Sequence, residues 1–217
     1  MPDSAAVLTG DIVGSLRAGA DAVERSMAEL ARAAGRMAGP DGGAGAAFTR
    51  YRGDGWQIVV RPAGLALRVA VALVAALRAG TGLAETRIAI GFGAIERPGT
   101  LDLRDASGPA FTRSGRALAL MPAGRRIVVG TDGSEPQSGL LEAVACLIDD
   151  RAGRWSREQA EVVAPYLGRE AGTQTAIAAR LGITPQAVNQ RLKAASARAV
   201  REALLSAERA LADWNPQ

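Results

Sequence analysis

Thr173-Gln-Thr-Ala-Ile-Ala-Ala-Arg-Leu-Gly-Ile-Thr-Pro-Gln-Ala-Val-Asn-Gln-Arg-Leu-Lys193 reads as two short helices joined by a tight turn. In the first helix Ala176, Ile177 and Leu181 are expected to face inward, and Gly182 can take the left-handed conformation that stops a helix. Ile183 then plugs the turn. Thr184 is a good N-cap, Pro185 suits the first helical position, and Val188, Leu192 and Ala195 give the next helix an apolar stripe. With a leading helix from Ser156, this is a helix-turn-helix within roughly residues 156 to 200, and double-stranded DNA is its expected partner. The second helix would offer Gln186, Asn189 and Gln190 to base edges, and Arg191 and Lys193 to phosphates. Between Ala171 and Arg201 there is no carboxylate, whereas Arg180, Arg191, Lys193, Arg198 and Arg201 all fall there, which suits approach to a polyanion. The competing reading is a plain helical hairpin used for dimerisation.

At 217 residues the chain divides naturally into one larger and one smaller module, and 48% hydrophobic residues suffice for a buried core. The net charge of +4 is weak evidence for nucleic acid, because many arginines are interleaved with acids. The absence of histidine removes the commonest general base and zinc ligand. The single cysteine, Cys146, lies in an apolar run and is expected to be a buried thiol, which excludes an internal disulfide. Asp3 and Asp11 stand where a secretory signal would need basic and then apolar residues, and no apolar stretch reaches about 18 residues. The expectation is a cytoplasmic protein with no membrane partner.

Towards the N-terminus, residues 5 to 12 read as a buried strand that runs into a turn at Gly10-Asp11 and Gly14-Ser15. Val23, Met27, Leu30, Ala34 and Met37 mark a helix over about 18–37, and the glycine-rich stretch from Gly39 to Gly43 ends it. Strands are expected at 46–52 and 55–61, joined as a hairpin by Gly53-Asp54-Gly55. A helix over 63–79, a strand over 86–95, a helix over 108–121 and a last strand at Ile127-Val128-Val129 follow. The order βαββαβ, with a trailing helix and strand, predicts an α+β ferredoxin-like domain over residues 1–132 with helices on one face. An all-α domain over 138–217 follows a boundary in Asp132 to Gln137. Residues 63–79 are apolar all round, so one side should cover the sheet and the other is expected to meet a second subunit, giving a homodimer.

Asp11 and Asp54 each sit in a turn beside glycine, near strands that are neighbours in such a sheet, so they can converge on divalent cations. Paired carboxylates completed by phosphate oxygens are a common Mg²⁺ arrangement, and the amides of Val13, Gly14 and Ser15, opening a helix, could cradle phosphates. The plain alternative is that both aspartates are ordinary turn residues.

Three resemblances add to this. Ser156-Arg-Glu-Gln-Ala-Glu-Val-Val-Ala-Pro-Tyr-Leu with the two helices after it resembles helix-turn-helix modules of the sigma-region-four and LuxR type. Asp11-Ile12, Gly53-Asp54 and Arg87-Ile88-Ala89-Ile90 resemble class III nucleotidyl cyclase catalytic domains, which form a palm. That resemblance implies metal ligands at Asp11, Ile12 and Asp54, base contacts at Arg50 and Asp105, and transition-state contacts at Arg116 and Thr112, where the family has Lys for Arg50 and Asn for Thr112. It also implies Mg or Mn with a nucleotide, and a site shared across a dimer. Gly10-Asp-Ile-Val-Gly-Ser15, Arg52-Gly-Asp54 and Gly108-Pro-Ala-Phe111 resemble the SatD family over nearly the whole chain. The function these features imply is a DNA-binding transcription regulator whose N-terminal domain senses a nucleotide with Mg. The alternatives are an active nucleotidyl cyclase or nucleotidyltransferase with a DNA-binding module, and a scaffold used only for dimerisation.

Overall fold

The computed structural model describes residues 5–38, 48–51, 53–100, 102–130, 136–168 and 172–212. Its elements are β1 (Ala5–Ile12), α1 (Ser15–Ala18), α2 (Ala20–Ala38), β2 (Thr49–Tyr51), β3 (Gly55–Val60), α3 (Ala66–Ala79), β4 (Thr86–Gly93), α4 (Pro109–Ala119) and β5 (Ile127–Gly130), then α5 (Pro136–Gly153), α6 (Arg157–Leu167), α7 (Gln174–Leu181), α8 (Pro185–Ala194) and α9 (Ala197–Leu211). The fold is α+β. The expected turn at Gly39–Gly43, residues 46–47 and Arg52 of the hairpin, and residues 132–135 of the boundary lie outside the described residues.

The strands form one mixed sheet in the order β2-β3-β1-β4-β5. Neighbours are antiparallel except β4 and β5, which are parallel. Because side chains alternate along a strand, β1 serves two layers. Ala6, Leu8 and Ile12 join the core beneath α2 and α3, whereas Ala5 and Val7 pack with Leu103 and Ala110 of the opposite layer. Thr9 also faces that second layer, where its hydroxyl meets that of Ser114 on α4 at 2.7 Å. The expectation of helices on one face therefore needs correction: α4, the trailing helix, covers the other face. Glycine makes that contact possible, since a Cβ on Gly91 of β4 would stand 2.2 Å from the Ala110 carbonyl oxygen.

Helix α3 is buried from Ala66 to Leu77, as its all-round apolarity requires. The sheet takes one side, and α2, α5 and α6 take the rest. The surface on which a second subunit was expected is thus met by α6 of the same chain. The core is also continuous across the expected boundary: Leu8, Ile58 and Leu73 belong to the same cluster as Val162, Ile177, Val188 and Leu204. Arg68 of α3 reinforces the junction by donating to both carboxylate oxygens of Glu208 on α9, at 2.5 and 3.1 Å. Cys146 is exposed, contrary to expectation, because the inward positions of α5 are Leu141, Ala145 and Ile148. Among the described residues no helix is long and apolar enough to cross a membrane.

Candidate functional site

The helix-turn-helix is built from local bonds. Ser156 caps α6 in a reciprocal box with Gln159. Thr173 accepts from the Ala176 N–H, Gly182 turns the chain at φ 64°, and Thr184 accepts from the Ala187 N–H, with Pro185 in the first turn of α8. Ile177, Ala178, Val188 and Leu192 are buried. Ala176, expected inward, is exposed, and Ala178 holds the inward place because α7 is rotated to set Ile177 and Ala178 against its neighbours.

Burying Val188 and Leu192 turns the opposite side of α8 outward. Gln186, Asn189, Gln190 and Lys193 are exposed there, as are Arg180 on α7 and Arg198 on α9. Arg191 departs from expectation. Its guanidinium turns back to α6, 3.4 Å from Glu161 and 3.5 Å from the Glu158 carbonyl oxygen, so it braces α8 on α6 instead of facing out. Arg201 is likewise engaged, with its guanidinium over the Tyr166 ring at 5.1 Å.

At the far end of the sheet, the backbone brings the two glycine-flanked aspartates together. Asp11 stands opposite Gly55 in the β1–β3 register, and the Ile12 N–H donates to the Asp54 carbonyl at 3.2 Å. Asp11 also stands opposite Arg87 in the β1–β4 register. The Arg87 guanidinium forks onto both carboxylate oxygens of Asp11, with Nε–Oδ1 at 2.9 Å and a second bond from Nη2 to Oδ2. This pairing, with the charge of Asp54 nearby, raises the Arg87 pKa further above its ordinary value. Arg87 engages both oxygens of Asp11, and no trio of Asp, Glu, His or Cys side chains that could hold a metal ion gathers among the described residues. Ile12 is a core side chain.

The other residues of the expected nucleotide site are carried by several separate elements. Arg50 lies on the other face of the sheet, where its Nη1 donates to Glu24 of α2 at 2.7 and 2.8 Å. The reason is parity: Arg50 pairs with Trp56, whose ring is buried on the α2 side. The Val13 N–H is spent on the Glu85 carbonyl, and Gly14 and Ser15 open only the four-residue α1, which Gly19 ends. Asp105 accepts from the Thr100 N–H and hydroxyl, which hold its carboxyl below the usual carboxylate range. On α4, Arg116 is exposed, and the Thr112 hydroxyl donates to the Gly108 carbonyl at 3.4 Å.

Gly10 has a packing reason of its own, because a Cβ there would meet the Trp56 indole at 2.3 Å. The residue that sequence reasoning missed was Arg87 as the partner of Asp11; aligning the penultimate position of β1 with the start of β4 would have found it. The chain matches no protein-family model and no curated protein.

Proposed function

We propose that this chain is a DNA-binding regulator that lays α8 in the major groove of double-stranded DNA. The observation that carries the reading is the turn at Gly182 between two capped helices, which buries Val188 and Leu192 and leaves Gln186, Asn189 and Gln190 outward. Amides of this kind can pair with adenine edges, and the exposed cations Lys193, Arg180 and Arg198 are available for phosphates. Each phosphate neutralised contributes about −0.9 to the slope of log affinity against log salt. Three such contacts therefore predict a slope of about −2.7. Fluorescence anisotropy with a mixed-sequence duplex at several salt concentrations tests this. Lys193→Ala should weaken binding to all sequences and reduce the slope by about one. Gln186→Ala with Asn189→Ala should instead flatten sequence preference. Absence of binding at low salt sinks the proposal.

The sheet fits a ferredoxin-like palm: β3 is inserted antiparallel between β1 and β2, and β1 is inserted between β3 and β4. This order supports the resemblance to cyclase-type and SatD-type domains.

A second reading, in which a nucleotide with Mg²⁺ or Mn²⁺ binds at the sheet end, is favoured by the adjacency of Asp11 and Asp54. Binding would require Arg87 to leave Asp11. Calorimetric titration with each nucleoside triphosphate and Mg²⁺, with Asp54→Asn as the control, tests it, and assay for cyclic product separates sensing from catalysis. A homodimer is a separate proposal, tested by mass measurement in solution with and without DNA.

A further inference from the structure

We infer a second ligand site, for a small amphipathic organic anion, in the cleft where α2 and α3 meet α6 and α7. The cleft has a volume of about 720 Å³. That is within the range of about 300–1,000 Å³ usual for small-molecule sites. It lies on the side of the sheet that α2 and α3 cover, opposite the face that carries Asp11. Its walls are largely short or apolar: Ala33 and Met37 from α2, Ala72 and Ala76 from α3, and Ile177 and Leu181 from α7. Alanines on all four helices keep the space open, since a longer side chain at Ala72, Ala76 or Ala164 would occupy it.

The charged groups on the lining decide the sign of the ligand. Glu29 is held by Arg32 at 2.9 Å and by Arg36 at 2.7 Å. Glu161 is held by Arg157 at 3.1 Å and by Arg191 at 3.4 Å. Both acids are thus neutralised twice over by arginines. Arg180, which also lines the cleft, makes no ion pair or hydrogen bond among the described residues. An apolar pocket whose one unengaged charge among the described residues is a guanidinium suits a ligand with an apolar body and a single carboxylate or sulfonate.

The site is read without DNA, so it stands or falls separately from the proposed DNA contacts of Arg180. The probe is 1-anilinonaphthalene-8-sulfonate, whose fluorescence rises on entering an apolar site, added to the intact chain and competed with decanoate or decylammonium. Decanoate should displace it and decylammonium should not. Arg180→Gln, a surface change, should weaken probe binding about tenfold, the loss expected for one hydrogen-bonded charge. Ala176→Trp, from an exposed position on the lining, should fill the cleft and abolish binding while far-ultraviolet circular dichroism and the urea midpoint stay native. The inference is overturned if the native chain does not bind the probe, if Arg180→Gln binds it as tightly as the native chain, or if decylammonium competes as well as decanoate.

Discussion

Glu208→Ala should destabilise the whole chain, although Glu208 lies near the end of the last described helix. Arg68 reaches from α3 to grip both oxygens of Glu208, and its Nη1 also donates to the Leu167 carbonyl at 3.3 Å. The Arg68 side chain is 8% exposed and that of Glu208 is 19% exposed. Removing one member of a buried pair leaves an uncompensated charge, at a cost of about 3–5 kcal/mol. The partial exposure of Glu208 admits water to the vacated place, so the low end, about 3 kcal/mol, is expected. Out of a total stability of about 5–15 kcal/mol, that raises the unfolded fraction roughly a hundredfold. Replacing both partners, Arg68→Met with Glu208→Leu, should return stability to within about 1 kcal/mol of the native chain, since no charge is then stranded. The assay is urea unfolding followed by far-ultraviolet circular dichroism and tryptophan fluorescence. Both probes should move together, because the sheet and the helix-turn-helix share one core. A loss below about 1 kcal/mol for Glu208→Ala, or two separated transitions in the native chain, would refute the reasoning.

Gly91→Ala should cost about 1–3 kcal/mol or more in the same assay, because the new methyl would run into the backbone of α4 at Ala110; an unchanged midpoint would show that α4 can lift away freely. Arg87→Gln should change stability by only about 0–1 kcal/mol, since the Arg87 side chain is 40% exposed, yet it should tighten Mn²⁺ binding measured by calorimetry by freeing Asp11. Equal Mn²⁺ affinity in the two proteins would mean that the fork is no obstacle to a cation. The Asp105 carboxyl is depressed by the Thr100 N–H and hydroxyl, so its contribution is fully present above the unfolded value of about 4 and is lost as pH falls through the lower folded value. Thr100→Ala should move the carboxyl titration of Asp105 upward in a nuclear magnetic resonance titration, and an unmoved midpoint would assign the depression to the backbone alone.

The sequence by itself determined the features made by neighbours along the chain. Thr173, Gly182, Thr184 and Pro185 act over four residues or fewer, so the helix-turn-helix and its caps were legible before any tertiary contact was known. The order of helices and strands along the chain was legible too, from apolar periodicity and the glycine-flanked hairpin at Gly53. Which groups meet across the fold was decided only by tertiary structure. Arg50 took Glu24, Arg87 took Asp11 and Arg191 took Glu161, each through register or packing that no local pattern encodes. The all-round apolarity of α3 announced that it would be covered but not by what. The covering helix is α6 of the same chain, with α2 and α5 beside it. Periodicity fixes how much surface a helix must bury, whereas only the path of the chain in space supplies the partner.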